Sequence, residues 1–262
     1  MSVSTHGSIL IRETAEGWGV TMEEIRWWAR LLLISGVISV VLLISAPLGY
    51  RFGMTGLQSA FGSLALAVLG SAIVLLVSFV MVIITTRKGL VDNRQQLVIA
   101  ALFSLLPLLA AVPQYLKVSS VPPINDISTD LEEPPAFDAA LAKRGEFSND
   151  LILEPDEAQQ QKAAYPDVLP VTSTLTSEDA VSRSVALLEQ MGLEVINVDL
   201  DAGRVEAVAT TFWFGFKDDF VVRVRGNNEG SRIDARSVSR VGQFDLGVNA
   251  ERVMTFIAGF AD

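Results

Sequence analysis

The chain has 262 residues, half of them hydrophobic, yet 19% are charged and the formal net charge is −10. The charge is uneven: residues 1–116 hold seven basic and five acidic side chains and 117–262 hold 13 and 25, which argues against general nucleic-acid binding, because that needs a basic excess on the contacting face. With no cysteine, and with the only histidine, His6, in the N-terminal tail, disulfides, thiolate chemistry, Cys-based zinc sites and Ser-His or Cys-His catalysis in the C-terminal half are excluded.

In chain order, residues 1–28 form a tail too long and too acidic for the start of a signal peptide, so the apolar stretch that follows is expected to be an uncleaved anchor. Residues 29–48 make about 30 Å of helix, the thickness of a bilayer's hydrocarbon core, with Trp27 and Trp28 placed for its interface. Residues 57–84 are longer and carry no ionisable group. Ser59, Ser63, Ala67 and Ser71 recur there every fourth position, a small-residue stripe suited to close helix packing. Residues 97–116 form a third span, bent where Pro107 and Pro113 each remove an amide donor. A transport role lacks the intramembrane charges that such sites use.

Orientation follows from the basic flanks. Arg12, Arg26 and Arg30 precede the first span and Arg87, Lys88 and Arg94 separate the second from the third, whereas the first loop has Arg51 alone. The positive-inside rule then puts the N-terminus in the cytoplasm and everything after Lys117 outside, which is the periplasm in a Gram-negative inner membrane.

Residues 117–175 are rich in proline and carboxylates and read as an extended connector. Asp126, Asp130, Glu132, Glu133 and Asp138 lack the spacing and the turn glycine of a calcium loop, so a solvated acidic segment is expected, with no metal and no cofactor.

From residue 176 the pattern becomes that of a compact domain. Residues 177–191 have Val181, Val185 and Leu188 at helical spacing, Thr176 or Ser177 as N-cap and Gly192 as a stop. Four strands follow at 193–200, 204–214, 219–226 and 231–241, joined by turns at 201–203, 215–218 and 227–230. A last helix over 249–261 carries Val253, Phe256, Ile257 and Phe260 as one stripe. The fold class is therefore α+β: a tail (1–28), three transmembrane helices (29–116), the connector (117–175), and a two-layer α-β-β-β-β-α domain (176–262) with an antiparallel sheet.

A simple hairpin at 227–230 puts Phe220, Val222, Val224, Ile233 and Ala235 on a core face. The opposite face then gathers Arg223, Arg225, Arg232, Asp234, Arg236 and Arg240, with Arg223 across from Asp234. An equally regular loop before it would set Thr210 beside Arg223 and Phe212 beside Val221. Such a face suits recognition of an anionic group through guanidinium forks, with Phe212 as an apolar wall. The plainer account is a ladder of arginine–carboxylate pairs, supplied by Asp219, Asp234 or the acidic connector folding over it.

The string ATTFWFGFKDDFVVRVR at 209–225, followed by GSRIDARSVSRVGQFDLGVNAERV at 230–253, resembles the domain-of-unknown-function 1499 family; PPINDISTD at 122–130 and AYPDVLPV at 164–171 fit it too. The resemblance covers the chain from about residue 122 onward and leaves out the three-helix anchor. It implies kinship with bacterial-envelope and plastid proteins but no activity. The residues its motif emphasises are Asp218, Asp219, Arg236, Ser237, Ser239, Arg240, Asp245 and Asn249, while Phe244 stands where a small polar residue is expected.

The functional expectation is a multi-pass membrane protein presenting an extracytoplasmic binding or scaffolding domain. Its partners would be the lipid bilayer and an envelope protein, a lipid headgroup or a glycan, and not nucleic acid. The alternative is an envelope hydrolase using Asp218 and Asp219, or Ser237 and Ser239 with an arginine. Adjacent Asp218 and Asp219 would point to opposite faces of a regular strand, and serines without a base are weak nucleophiles, so no catalytic residue is assigned.

Overall fold

A computed structural model describes residues 26–261. Most of the tail, including His6 and Arg12, lies outside the described residues. Three long helices open the described chain: α1 (Trp27–Arg51), α2 (Leu57–Lys88) and α3 (Val91–Ser120). All three are long and apolar enough to cross a membrane. Each runs a few residues beyond its expected span, and α3 continues through both Pro107 and Pro113.

The chain divides into two compact units. The first comprises residues up to Leu43 together with Ala65–Leu108, and the second comprises Ile44–Leu64 and everything from Leu109 onward. Inside the first unit Gly36 lets two helices touch, since a Cβ there would sit 2.9 Å from the Ala100 carbonyl oxygen. Ala67, Ser71, Val74 and Ser78 are buried along α2, whereas Ser59 is exposed, so the packed stripe follows the helical repeat rather than a strict fourth-residue spacing. Leu69, Ile73 and Leu76 are left uncovered, as lipid-facing positions would be.

The second unit is built on a six-stranded antiparallel sheet. Its strands are β1 (Asp126–Ser128), β2 (Val171–Ser173), β3 (Glu194–Asp199), β4 (Arg204–Thr210), β5 (Lys217–Asn227) and β6 (Gly230–Ser239). The spatial order is β1-β6-β5-β4-β3, with β2 also on β6. Two of these strands come from the segment read as a connector, because β1 and β2 are only three residues each and too short to signal themselves. That segment also contains a short 3-10 turn at Leu141–Lys143 and the helix α4 (Pro155–Ala164), whose Gln161 extends the pairing of β1. The Gln161 side chain accepts from the Ser128 N–H at 3.0 Å and donates to the Ser128 carbonyl at 2.7 Å.

Helices α5 (Ser177–Gln190) and α6 (Val248–Ala261) cover one face of the sheet. The Thr176 hydroxyl caps α5 by accepting from the Asp179 N–H, and Gly192 ends it at φ +79°. Val181 and Leu188 from α5 meet Val253 and Phe256 from α6 over Phe220, Val222, Ile233 and Ala235, all fully buried. The Phe220 and Phe256 rings meet edge to face at 5.4 Å. Register between β5 and β6 is the expected one, with Arg223 opposite Asp234.

The register between β4 and β5 differs from the expected one. Glu206 lies opposite Val221 and Arg204 opposite Arg223, while Thr210 pairs with Lys217 at the end of the hairpin. The reversal occurs over residues 211–216 rather than 215–218, because Gly215, at φ +68°, allows a compact loop there. Phe212 therefore lies in that loop, 77% exposed, and forms no wall of the arginine face.

Candidate functional site

Strand alternation sends Arg223, Arg225, Arg232 and Asp234 to the face away from the helices, where residues 130–133 fold over them. Asp234 is fully buried and accepts from Arg223 at 3.1 Å, Arg225 at 2.8 Å and Arg232 at 3.1 Å. Asp130 reaches the same three guanidinium groups at 3.1–3.2 Å. Burial pushes the Asp130 carboxyl up, but the backbone N–H groups of Glu133 and Glu132 and the neighbouring arginines outweigh it and hold it below the ordinary value. Arg225 and Arg232 face each other directly across the strands, a like-charge pair made tolerable by the two carboxylates they share.

Farther along β6, Arg236 makes a two-pronged pair with the buried Asp126, at 2.9 and 2.5 Å, and also donates to the carbonyls of Pro135 and Leu151. Burial still raises the Asp126 carboxyl above its ordinary value, with Arg236 acting against it. Asp219 is buried between Arg240, at 2.6 and 3.0 Å, and Arg144, at 2.5 Å. Two guanidinium groups on one carboxylate leave a residual positive charge at that end of the sheet.

The other emphasised residues lie on the helix side. Asp218 pairs with Arg252 of α6 at 3.0 Å, so the two adjacent aspartates do serve opposite faces. The Ser237 hydroxyl donates to the Asn249 side-chain oxygen at 2.6 Å, and the Asn249 amide donates to the Ser239 hydroxyl and the Asn125 carbonyl. Asp245 caps α6, accepting from the N–H groups of Gly247 and Asn249. Burial nevertheless raises its carboxyl. Both serines thus bond to an amide, the arrangement of a structural knot rather than of an activated nucleophile. Thr210 is exposed at the base of the 211–216 loop, apart from all of these. The residues singled out from sequence therefore divide among several local networks.

Several participants were not singled out, among them Arg252, Glu206 and Arg144. Glu206 is fully buried in β4, and its carboxylate accepts from three successive N–H groups, those of Asp138, Ala139 and Ala140, at 2.9–3.1 Å. The only signal in the sequence is an acidic residue inside the apolar run Val205-Glu206-Ala207. Arg144 gave no signal at all, because its partner Asp219 is 75 residues away.

Two clefts flank these networks. One, of about 360 Å³, is acidic, with Asp126, Asp150, Glu154 and Glu157 in its wall. Burial, and then the charges of Asp126, Asp150 and Glu154, raise the Glu157 carboxyl. No group of His, Cys, Asp or Glu among the described residues is arranged to hold a metal ion. The second cleft, of about 320 Å³, is bordered by Lys143, Lys217, Arg240, Glu146, Phe216 and, from the end of α1, Tyr50. Neither lysine ammonium meets a carboxylate among the described residues, and the Arg144–Asp219–Arg240 group lies beside them.

The model of a family described as "Protein of unknown function (DUF1499)" matches residues 126–260, from the first strand to the last helix. No curated protein matches the chain.

Proposed function

The chain belongs to the DUF1499 family, and from that premise we propose that it is a multi-pass protein of the bacterial inner membrane whose C-terminal domain, on the outer side, captures an anionic lipid headgroup. The observation that carries this reading is the basic cleft. Lys143, Lys217 and the doubly held Asp219 give an excess of positive charge even with Glu146 counted, and Tyr50, at the end of an apolar helix, forms part of the rim. The arginines of the central sheet are weaker candidates, because each already has carboxylate partners and would have to give them up. The outward placement rests on the basic residues flanking the apolar segments: Arg26, Arg30, Arg87, Lys88 and Arg94 on one side against Arg51 and Lys117 on the other.

An alkaline phosphatase fused after Asp262 is expected to be active in bacteria. In native mass spectrometry of the full chain, phosphatidylglycerol should be retained over phosphatidylcholine, and a Lys143→Ala/Lys217→Ala variant should lose that preference. Equal retention of both lipids by the unaltered chain would refute headgroup capture.

A further inference from the structure

Residues 211–216 read Thr-Phe-Trp-Phe-Gly-Phe: four aromatic rings and no ionisable group in the loop between β4 and β5. Two of the rings are engaged. Phe214 stacks on Phe216 at 4.7 Å and on Phe61 at 5.6 Å, and Tyr50 tilts against both at 5.3–6.1 Å. Tyr50 closes the apolar helix α1 and Phe61 lies in the first turns of α2. The other two are bare: Phe212 is 77% and Trp213 55% exposed.

The backbone of the loop is closed upon itself. The Thr211 N–H donates to the Phe216 carbonyl and the Gly215 N–H to the Thr211 carbonyl, and the Phe216 N–H finds the Thr211 hydroxyl, all at 2.9–3.0 Å. Arg51 donates to the carbonyls of Thr211 and Phe212, with its guanidinium 5.9 Å from the Phe212 ring centre. A Cβ on Gly215 would come within 3.0 Å of the Arg51 side chain, so the loop and the arginine fit each other closely. Polar groups turned inward and apolar rings turned outward are what a segment needs where water is scarce. Aromatic side chains at the ends of membrane spans favour the headgroup level.

We propose that the 211–216 loop is a membrane wedge: Phe212 and Trp213 sit in the headgroup region of the leaflet that α1 and α2 meet, seating the domain on lipid at a second point. The occupant of this apolar surface is lipid because the loop is continuous, through Tyr50, Arg51 and Phe61, with helices that are themselves apolar enough to cross the bilayer. The inference rests on the membrane reading and not on the basic cleft.

The absence of cysteine makes the test clean. A nitroxide label is placed, one site at a time, in full-length chain carrying Phe212→Cys, Trp213→Cys, Leu69→Cys or Glu229→Cys, reconstituted in phosphatidylcholine–phosphatidylglycerol vesicles. Leu69 is an exposed apolar position on α2, and Glu229 lies in the turn at the far end of β5, on the order of 35 Å from the loop. Labels at 212 and 213 should collide with oxygen, as at 69, and severalfold less often with a water-soluble nickel chelate than at 229. Nickel collisions equal to those at 229 would overturn the wedge. So would exclusion of both collision partners, the signature of contact with protein, or a label at 69 that behaves as if in water. Because no headgroup preference enters this measurement, it can fail while the lipid-retention experiment succeeds, and the reverse.

Discussion

The two faces of the sheet are closed by different forces. On one, α5 and α6 bury Phe220, Val222, Ile233 and Ala235 beneath Phe256 and Val253, and the driving force is apolar area removed from water. On the other, residues 130–151 are held over β4, β5 and β6 by Asp130, which joins Asp234 on three arginines, by Arg236, which is paired with Asp126 of β1 and donates to the Pro135 and Leu151 carbonyls, and by Glu206 with three backbone N–H groups, around a small apolar cluster of Phe137, Ala140, Val221 and Val238. A hydrophobic face is non-directional and tolerates repacking. A charged one must be satisfied group by group, because an unpaired buried charge costs several kcal/mol.

The largest test of this contrast is Phe256→Ala. The ring is fully buried against Phe220, so its removal should cost about 3–5 kcal/mol. The measurement is a denaturant titration of the full chain in detergent that follows the strand signal of the domain. The loss should be the same at pH 5 and pH 8, since the contact contains nothing that titrates. A shift in midpoint near zero would mean that the helix face does not hold the sheet.

Arg236→Ala should cost somewhat less, about 3 kcal/mol at neutral pH, by leaving Asp126 buried and unpaired. Here the pH dependence separates the faces. In the native protein the Asp126 carboxyl is already raised by burial, and loss of the guanidinium raises it further. A folded-state value above the unfolded one means that the penalty applies in full where the folded carboxylate must ionise, and fades as pH falls toward the ordinary Asp range near 4. The Arg236→Ala midpoint should therefore approach that of the unaltered chain on acidification, while the Phe256→Ala midpoint stays apart from it. Parallel losses at all pH values would show that Arg236 acts through packing, such as its contact with the Phe137 ring.

The same contrast decides what was legible in the sequence. The helix-covered face follows periods of 3.6 and 2, so the β5–β6 register and the Val253–Phe256 stripe could be read directly. Arg223 opposite Asp234 followed from that register, and the acidic connector does fold over the arginines as its charge suggested, but Asp130 and Glu133, which complete the cluster, lie more than 90 residues away in sequence and no pattern marks them out from the connector's other carboxylates. The β4–β5 register failed for a local reason. The apolar run through Trp213 and Phe214 looks like continuing strand, whereas Gly215 and the aromatic contacts to Tyr50 and Phe61 turn the chain back at Thr210.

The smallest expected effect belongs to Arg232→Ala, and it sharpens the distinction within the charged face itself. The Arg232 side chain is 42% exposed, and both of its carboxylates, Asp130 and Asp234, keep Arg223 and Arg225 when it is removed. Its partners are therefore not stranded. Ion pairs in partial contact with water contribute at most about 1 kcal/mol, and salt reduces that further. The loss in the denaturant titration should lie below that ceiling and shrink between low salt and roughly 0.5 M, where charges are screened over a few ångströms. Its removal also relieves the like-charge contact with Arg225 directly opposite, so a slight stabilisation at low salt is consistent with the geometry. A loss as large as that of Arg236→Ala would mean that the cluster acts as one buried unit, with the exposed arginine as necessary to the fold as the enclosed one.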